Sequence, residues 1–144
     1  MRARGLRLLA IDLGEKRTGI ATGDTETRFV APLVVLDFPR GPLLDEALDR
    51  LIREHAPDRI VIGLPLNMDD TEGPAAAAAR RAGEGLASRT GRMVVFHDER
   101  LTSFAAEKHL DRSGRTRDEK KRLRDALAAA ELLRDYLAQE RGDG

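Results

Sequence analysis

An α/β fold, with a mixed five-stranded sheet covered by helices on both faces, is predicted by three features of the sequence. Short β-rich segments crowd the N-terminal quarter, separated by turns that contain Gly, Asp and Glu, as in an antiparallel meander. The hydrophobic period then changes to a helical one. From there on, helical and β-branched stretches alternate, which adds strands to the meander and places helices over both faces.

The elements follow in order. Leu6–Leu13 is an apolar strand that leads into a turn at Gly14–Lys16, and Gly19–Gly23 and Arg28–Phe38 are the second and third strands. Leu44, Ala47, Leu48, Leu51 and Ile52 recur at helical spacing, and Pro57 ends that helix. Arg59–Gly63 is a short β-branched strand, and Leu64–Gly73 is a loop rich in turn formers. Thr71 is placed to cap the next helix, with Pro74 in its first turn and Ala75–Ser88 as its body. Met93–Phe96 is the fifth strand. Thr102 or Ser103 caps a short helix to about Leu110, and a strong helix runs from about Glu119 to Gln139. No Pro/Gly-rich linker interrupts the order, so residues 1–140 are expected to form one domain with a short polar tail at 141–144.

Composition narrows the function. The chain has no cysteine, which rules out disulfides, thiolate nucleophiles and zinc–cysteine sites and makes cytoplasm the expected location. No apolar run approaches the roughly 18 residues of a membrane helix. The basic start followed by Leu8–Ile11 mimics a signal peptide, but Asp12 interrupts the run well short of the roughly 7–15 apolar residues required. Aromatic residues make up 3%, too few for a surface built on base stacking.

Net charge is zero, yet it is unevenly spread. Residues 112–124 hold seven basic side chains (Arg112, Arg115, Arg117, Lys120, Lys121, Arg122 and Arg124) against Asp118 and Glu119, a net +5 that leaves −5 on the remainder. Such a stretch is either a local phosphate footprint or a solvated helix start.

Three acidic positions stand out. Asp12 closes an apolar strand ahead of Leu13 and Gly14, where it is either a turn former or a held carboxylate. Asp98–Glu99–Arg100 directly follows the fifth strand, at the sheet edge where open α/β folds place their sites, though acids there also suit the start of a capped helix. Asp125 lies on the same helical face as Ala129, Leu132 and Tyr136, so it needs a cationic partner, either a neighbour such as Arg122 or Arg124 or a metal. Converging at one edge, these acids form an oxygen-only ligand set suited to Mg²⁺ or Mn²⁺ rather than zinc. Two such ions can activate water and stabilise the leaving oxygen in phosphodiester cleavage. His97 is expected to play a structural or incidental part beside the cluster.

With these residues in view, the chain resembles the YqgF/RuvX family of ribonuclease-H-like proteins. Four blocks carry the likeness in order: IDLGEKRTGIA, IGLPLNMDDTEG, FHDERLTS and DALAAAELLRDYL. The resemblance implies a ribonuclease-H-like fold and a metal-dependent nuclease that processes the 5′ side of precursor 16S ribosomal RNA. It also carries an alternative role, Holliday-junction resolution. By motif, Asp12, Glu99 and Asp125 would be the catalytic metal-binding acids and Asp98 an auxiliary. Arg17 and Arg100 would contact phosphate or else pair with the acids. Asn67 would touch substrate or brace its turn, and Lys120, Lys121 and Arg122 would extend the footprint. Gly63 and Pro65 are read as fixing backbone shape. The block departs from the family pattern at Asp70, where Gly is expected, and Asp tolerates positive φ less well.

Two other classes remain open. Actin-like and sugar-kinase ATPases use a similar Asp–x–Gly hairpin but need a second lobe, and no GxxxxGK[ST] loop is present. A catalytically silent nucleic-acid-binding module on the same fold is the other. The chain is expected to act as a monomer or homodimer, with the alanine-rich helix and the Leu64–Gly73 loop as possible contact surfaces.

Overall fold

The computed structural model describes residues 5–99 and 117–143. β1 (Arg7–Leu13) and β2 (Thr18–Asp24) form an antiparallel hairpin whose turn is closed by a bond from the Gly14 N–H to the Arg17 carbonyl, 2.9 Å. β3 (Val30–Leu36) completes the meander, with a register shift where Ile20 and Ala21 face Val34 and Pro32. α1 (Pro42–His55), β4 (Arg59–Leu64), α2 (Pro74–Thr90), β5 (Met93–Asp98) and α3 (Arg117–Asp143) follow. The sheet order is β3-β2-β1-β4-β5, with β4 parallel to both β1 and β5. This is the mixed five-stranded α/β sheet predicted above.

Strand alternation divides the core into two layers. Leu9, Ile11, Ile20, Ile60 and Ile62 pack with Leu44, Leu48, Ile52, Ala76, Ala79 and Leu86 of α1 and α2. The alternate positions Leu8, Ala10, Ala21 and Val61 pack with Ala129, Ala130, Leu132, Leu133 and Leu137 of α3. The small residues Ala10 and Ala21 let the long helix lie close to the middle of the sheet. Helices therefore cover both faces, and among the described residues α3 covers the face toward which Asp12 points.

Several boundaries differ from the sequence expectation for local reasons. α2 is capped by Gly73, with Pro74 in its first turn, and not by Thr71. The Thr71 hydroxyl is committed elsewhere: it donates to Asp69 Oδ1 at 2.5 Å and accepts from Asn67 Nδ2 at 3.0 Å. α1 stops at His55 because Ala56, which precedes Pro57, turns left-handed (φ 46°) and returns its N–H to the Ile52 carbonyl. β5 runs on to Asp98, two residues past the expected end, and α3 continues to Asp143, so residues 141–143 extend the helix instead of forming a tail. Arg28 is also left-handed (φ 61°), and β3 accordingly starts at Val30. The alanine-rich stretch of α2 is exposed only in part: Ala76 and Ala79 are buried, Ala77 and Ala78 half-buried and Ala75 exposed. The short helix expected from Thr102 or Ser103 to Leu110 lies outside the described residues.

Candidate active site

Because β1, β4 and β5 run parallel, their C-terminal ends share one edge of the sheet, and side chains on the α3 face of that edge meet the N-terminal half of α3. Asp12 has the parity of Leu8 and Ala10, which pack on α3. Glu99, just beyond β5, continues the parity of Val95 and His97, and its N–H reaches toward the Leu64 carbonyl at 3.4 Å. Asp125 comes from α3. Asp12 and Glu99 share a side-chain hydrogen bond, and Asp125 is near enough to act on Asp12 as a like charge. Three acids distant in sequence thus meet at one edge.

Two glycines make room for them. A Cβ at Gly19, which pairs with Asp12 across the hairpin, would lie 2.0 Å from the Asp125 carbonyl oxygen. The α3 backbone therefore settles directly against β2. A Cβ at Gly63 would lie 2.1 Å from Glu99 Oε2 and 3.3 Å from Leu132. The expectation that Gly63 fixes backbone shape gives way here to a steric reason: its missing side chain is the seat of a carboxylate. Gly inside a β-branched strand often marks such close approach, which was the available signal.

The electrostatics follow from crowding. Burial pushes the Glu99 carboxyl up to about 9, helped by the charge of Asp12, the bond they share and the charge of Asp98. Burial also raises Asp12; its bond with Glu99 opposes the rise and the charge of Asp125 adds to it. Burial and crowding raise both acids, so the pair shares a proton across this bond. Two carboxylates this close cannot both be ionised without a proton or a cation between them. An oxygen-only pair in that condition suits a hard divalent ion, which would replace the proton. Among the described residues, however, no three acids are spaced to hold one ion together. Asp125 is engaged instead by Arg17, whose Nε donates to Oδ2 at 2.9 Å, with both side chains 25% exposed. Its expected cationic partner is therefore across the fold rather than on its own helix.

The remaining candidates are spread more widely. Asp98 has the parity of Phe96, which packs toward α2, so alternation places it on the opposite face from Glu99, where it acts as a nearby like charge. Asn67 braces its loop: its N–H bonds the Thr71 carbonyl at 2.8 Å, its amide donates to the Thr71 hydroxyl, and its carbonyl accepts from the Asp70 N–H. Asp70 sits at φ 70°, the left-handed geometry for which Gly was expected. Lys120 is half-buried, and exposed Arg122 pairs with Asp37. Arg100 and the side chain of Lys121 lie outside the described residues. His97 points away from the acids. Its Nε2 lies 2.6 Å from Asp135 Oδ2, and its ring meets Tyr136 edge-on, tying β5 to α3.

Comparison with known proteins matches this geometry to a family. The sequence profile of RuvX, described as a Holliday junction resolvase, matches residues 6–139. The chain belongs to the RuvX family. Curated relatives bear the name "Putative pre-16S rRNA nuclease": one from Lactococcus lactis is 39% identical over 133 residues, covering 91% of this chain and 93% of the relative. One from Chloroflexus aurantiacus is 37% identical over 136 residues, covering 94% and 89%, and one from Escherichia coli is 38% identical over 132 residues, covering 92% and 96%. RuvX membership makes the chain a nuclease. Among solved structures, Thermus thermophilus RuvC superposes with a TM-score of 0.56 at 15% identity, over 95% of this chain and 97% of that one. A fowlpox virus resolvase in complex with Holliday junction DNA superposes with a TM-score of 0.61 at 11% identity, over 94% and 99%. At such identities the likeness concerns the fold alone, which is ribonuclease-H-like. No described helix of this RuvX chain is long and apolar enough to cross a membrane.

Proposed function

We propose that this RuvX chain is a metal-dependent nuclease that hydrolyses phosphodiester bonds in precursor 16S ribosomal RNA in the cytoplasm. The observation that carries the reading is the hydrogen-bonded, half-buried Asp12–Glu99 pair at the C-terminal edge of the sheet, with Asp125 beside it. Crowding two acids out of full solvent costs stability, and such perturbed acids cluster at functional sites. Asp12 and Glu99 form the centre of a Mg²⁺ or Mn²⁺ site, Asp125 its rim and Asp98 an outlying negative charge. A bound divalent ion polarises phosphate and lowers the pKa of coordinated water. The protein's own part is to fix the acids on strand ends and on a helix seated against Gly19, so that their backbone need not move when phosphate arrives. Arg17, Arg100, Lys120, Lys121 and Arg122 supply positive charge for the nucleic-acid backbone, while Asn67 and Asp70 hold the shape of the bordering loop. The names borne by relatives at 37–39% identity favour the ribosomal substrate over branched DNA.

The test is cleavage of labelled precursor 16S RNA and of a four-way DNA junction by the full chain, with Mg²⁺, Mn²⁺ or EDTA. Metal-dependent cleavage of RNA over the junction is expected. Preference for the junction would transfer the reading to resolution, and no cleavage of either by folded protein would leave a binding module.

Gly63 supplies a more local check. Gly63→Ala forces the Glu99 carboxylate from its seat while touching Leu132 lightly. The expected result is a loss of cleavage of about 10²-fold, the usual cost of misplacing a reacting group by an ångström. Stability should fall by no more than about 2 kcal/mol. Rate measurements beside thermal melts check both, and an unchanged rate would show that Glu99 works equally well elsewhere.

A further inference from the structure

The ion pair between Arg17 and Asp125 joins residues 108 positions apart and ties the first hairpin to the last helix at the rim of the acidic centre. Each partner is placed by its backbone. Arg17 is held by the closing bond of the hairpin turn, and Asp125 by the close approach of its carbonyl to Gly19. The pair is therefore part of the architecture rather than a chance meeting of two surface side chains. It also explains why, among the described residues, no three acids are gathered about one point: the third carboxylate already faces a cation. A guanidinium is permanently charged, and it repels a divalent ion that approaches the same carboxylate.

We propose that Arg17 is the resident cation of Asp125, so that the chain free of nucleic acid takes one divalent ion, at Asp12 and Glu99, and gains a place for a second only when the guanidinium leaves. The inference rests on the metal-dependent reading above. Phosphate oxygens are the natural competitors for Arg17, since a guanidinium binds two of them at once. Arrival of the backbone would thus free Asp125 at the moment a second ion is useful.

Calorimetric titration of the full chain with Mn²⁺, without nucleic acid, tests this. Wild type should bind one ion. Arg17→Gln should bind two, the second at least tenfold more tightly than any weak uptake by wild type, whereas Arg17→Lys should stay at one because a cation remains. Adding Asp125→Asn to Arg17→Gln should return the count to one. Two ions in wild type, one ion at unchanged affinity in Arg17→Gln, or two persisting in the double variant would each overturn the inference while leaving the metal-dependent reading intact. No ion bound by any folded variant would overturn both. Circular dichroism verifies folding. Should Arg17→Gln fail to fold, Asp125→Asn alone decides: it should keep one ion at wild-type affinity, and losing that ion would make Asp125 a ligand of the first site and end the proposal.

Discussion

Asp12→Asn should fold like wild type, melt no lower, and cleave about 10³-fold more slowly, the scale of loss seen when a preorganised charge is taken from a transition state. The substitution changes almost no volume, and the amide can still share a hydrogen bond with Glu99. It removes one of two crowded carboxylates, both of which are raised by burial. The folded state therefore loses a partly desolvated negative charge and its repulsion with Asp125, while the metal site loses a charged ligand. Activity and stability should move in opposite directions, the mark of a group kept for chemistry rather than for folding. Initial rates in saturating Mn²⁺, read beside thermal melts in EDTA, measure the two. Cleavage at the wild-type rate would remove Asp12 from the mechanism. A fall in melting temperature comparable to the loss of a core residue would make it structural.

The second large effect concerns pH in the absence of metal. Glu99 holds its proton up to about 9 in the folded chain, against 4.5 when exposed. A raised carboxyl gives stability that is complete below its unfolded value and is lost as pH rises through the folded one. In EDTA, wild type should therefore weaken as the pH climbs from about 5 to about 9. The slope approaches 1.4 kcal/mol per unit for one proton, or about 3 kcal/mol by neutrality. Glu99→Gln carries no such proton and should remove the part of that slope that comes from Glu99, leaving the contribution of Asp12, which has the same sign. At pH 7 in EDTA the variant should thus be the more stable protein. Urea unfolding at several pH values gives the comparison. Equal slopes in the two proteins would show that the pair is better hydrated than its packing suggests.

Much of this site was legible in the sequence because acids are conspicuous where apolar periodicity leads. Asp12 interrupts the pattern of a strand, Glu99 stands just past one, and Asp125 falls on a helical stripe that otherwise buries Ala129 and Leu132. The strand and helix order follows from the same periodicities. What periodicity does not encode is which distant charges meet. The sequence left Arg17 between phosphate and the acids and offered Asp125 nearer cations on its own helix; the landing of α3 on Gly19 decides that these two pair. Polar strand ends were also hidden: His97 and Asp98 read as loop, yet they belong to β5 because Gly63 and Leu64 of β4 pair with them. Thr71 shows the limit of capping rules, since Asp69 and Asn67 claim a hydroxyl that the helix might have used.

The outer strand of the meander has a bearing on how the protein behaves in concentrated solution. β3 forms one margin of the sheet, and Leu33 and Val34 on it stand partly in solvent, the composition from which intermolecular ribbons grow. Pro32 interrupts that margin with a residue that has no N–H to donate, and the irregular register at Ile20 and Ala21 breaks the spacing beside it. An incoming strand would find an incomplete ladder of donors and acceptors. Replacing the proline would restore one donor to that margin, so the residue helps guard solubility from a position remote from the acids.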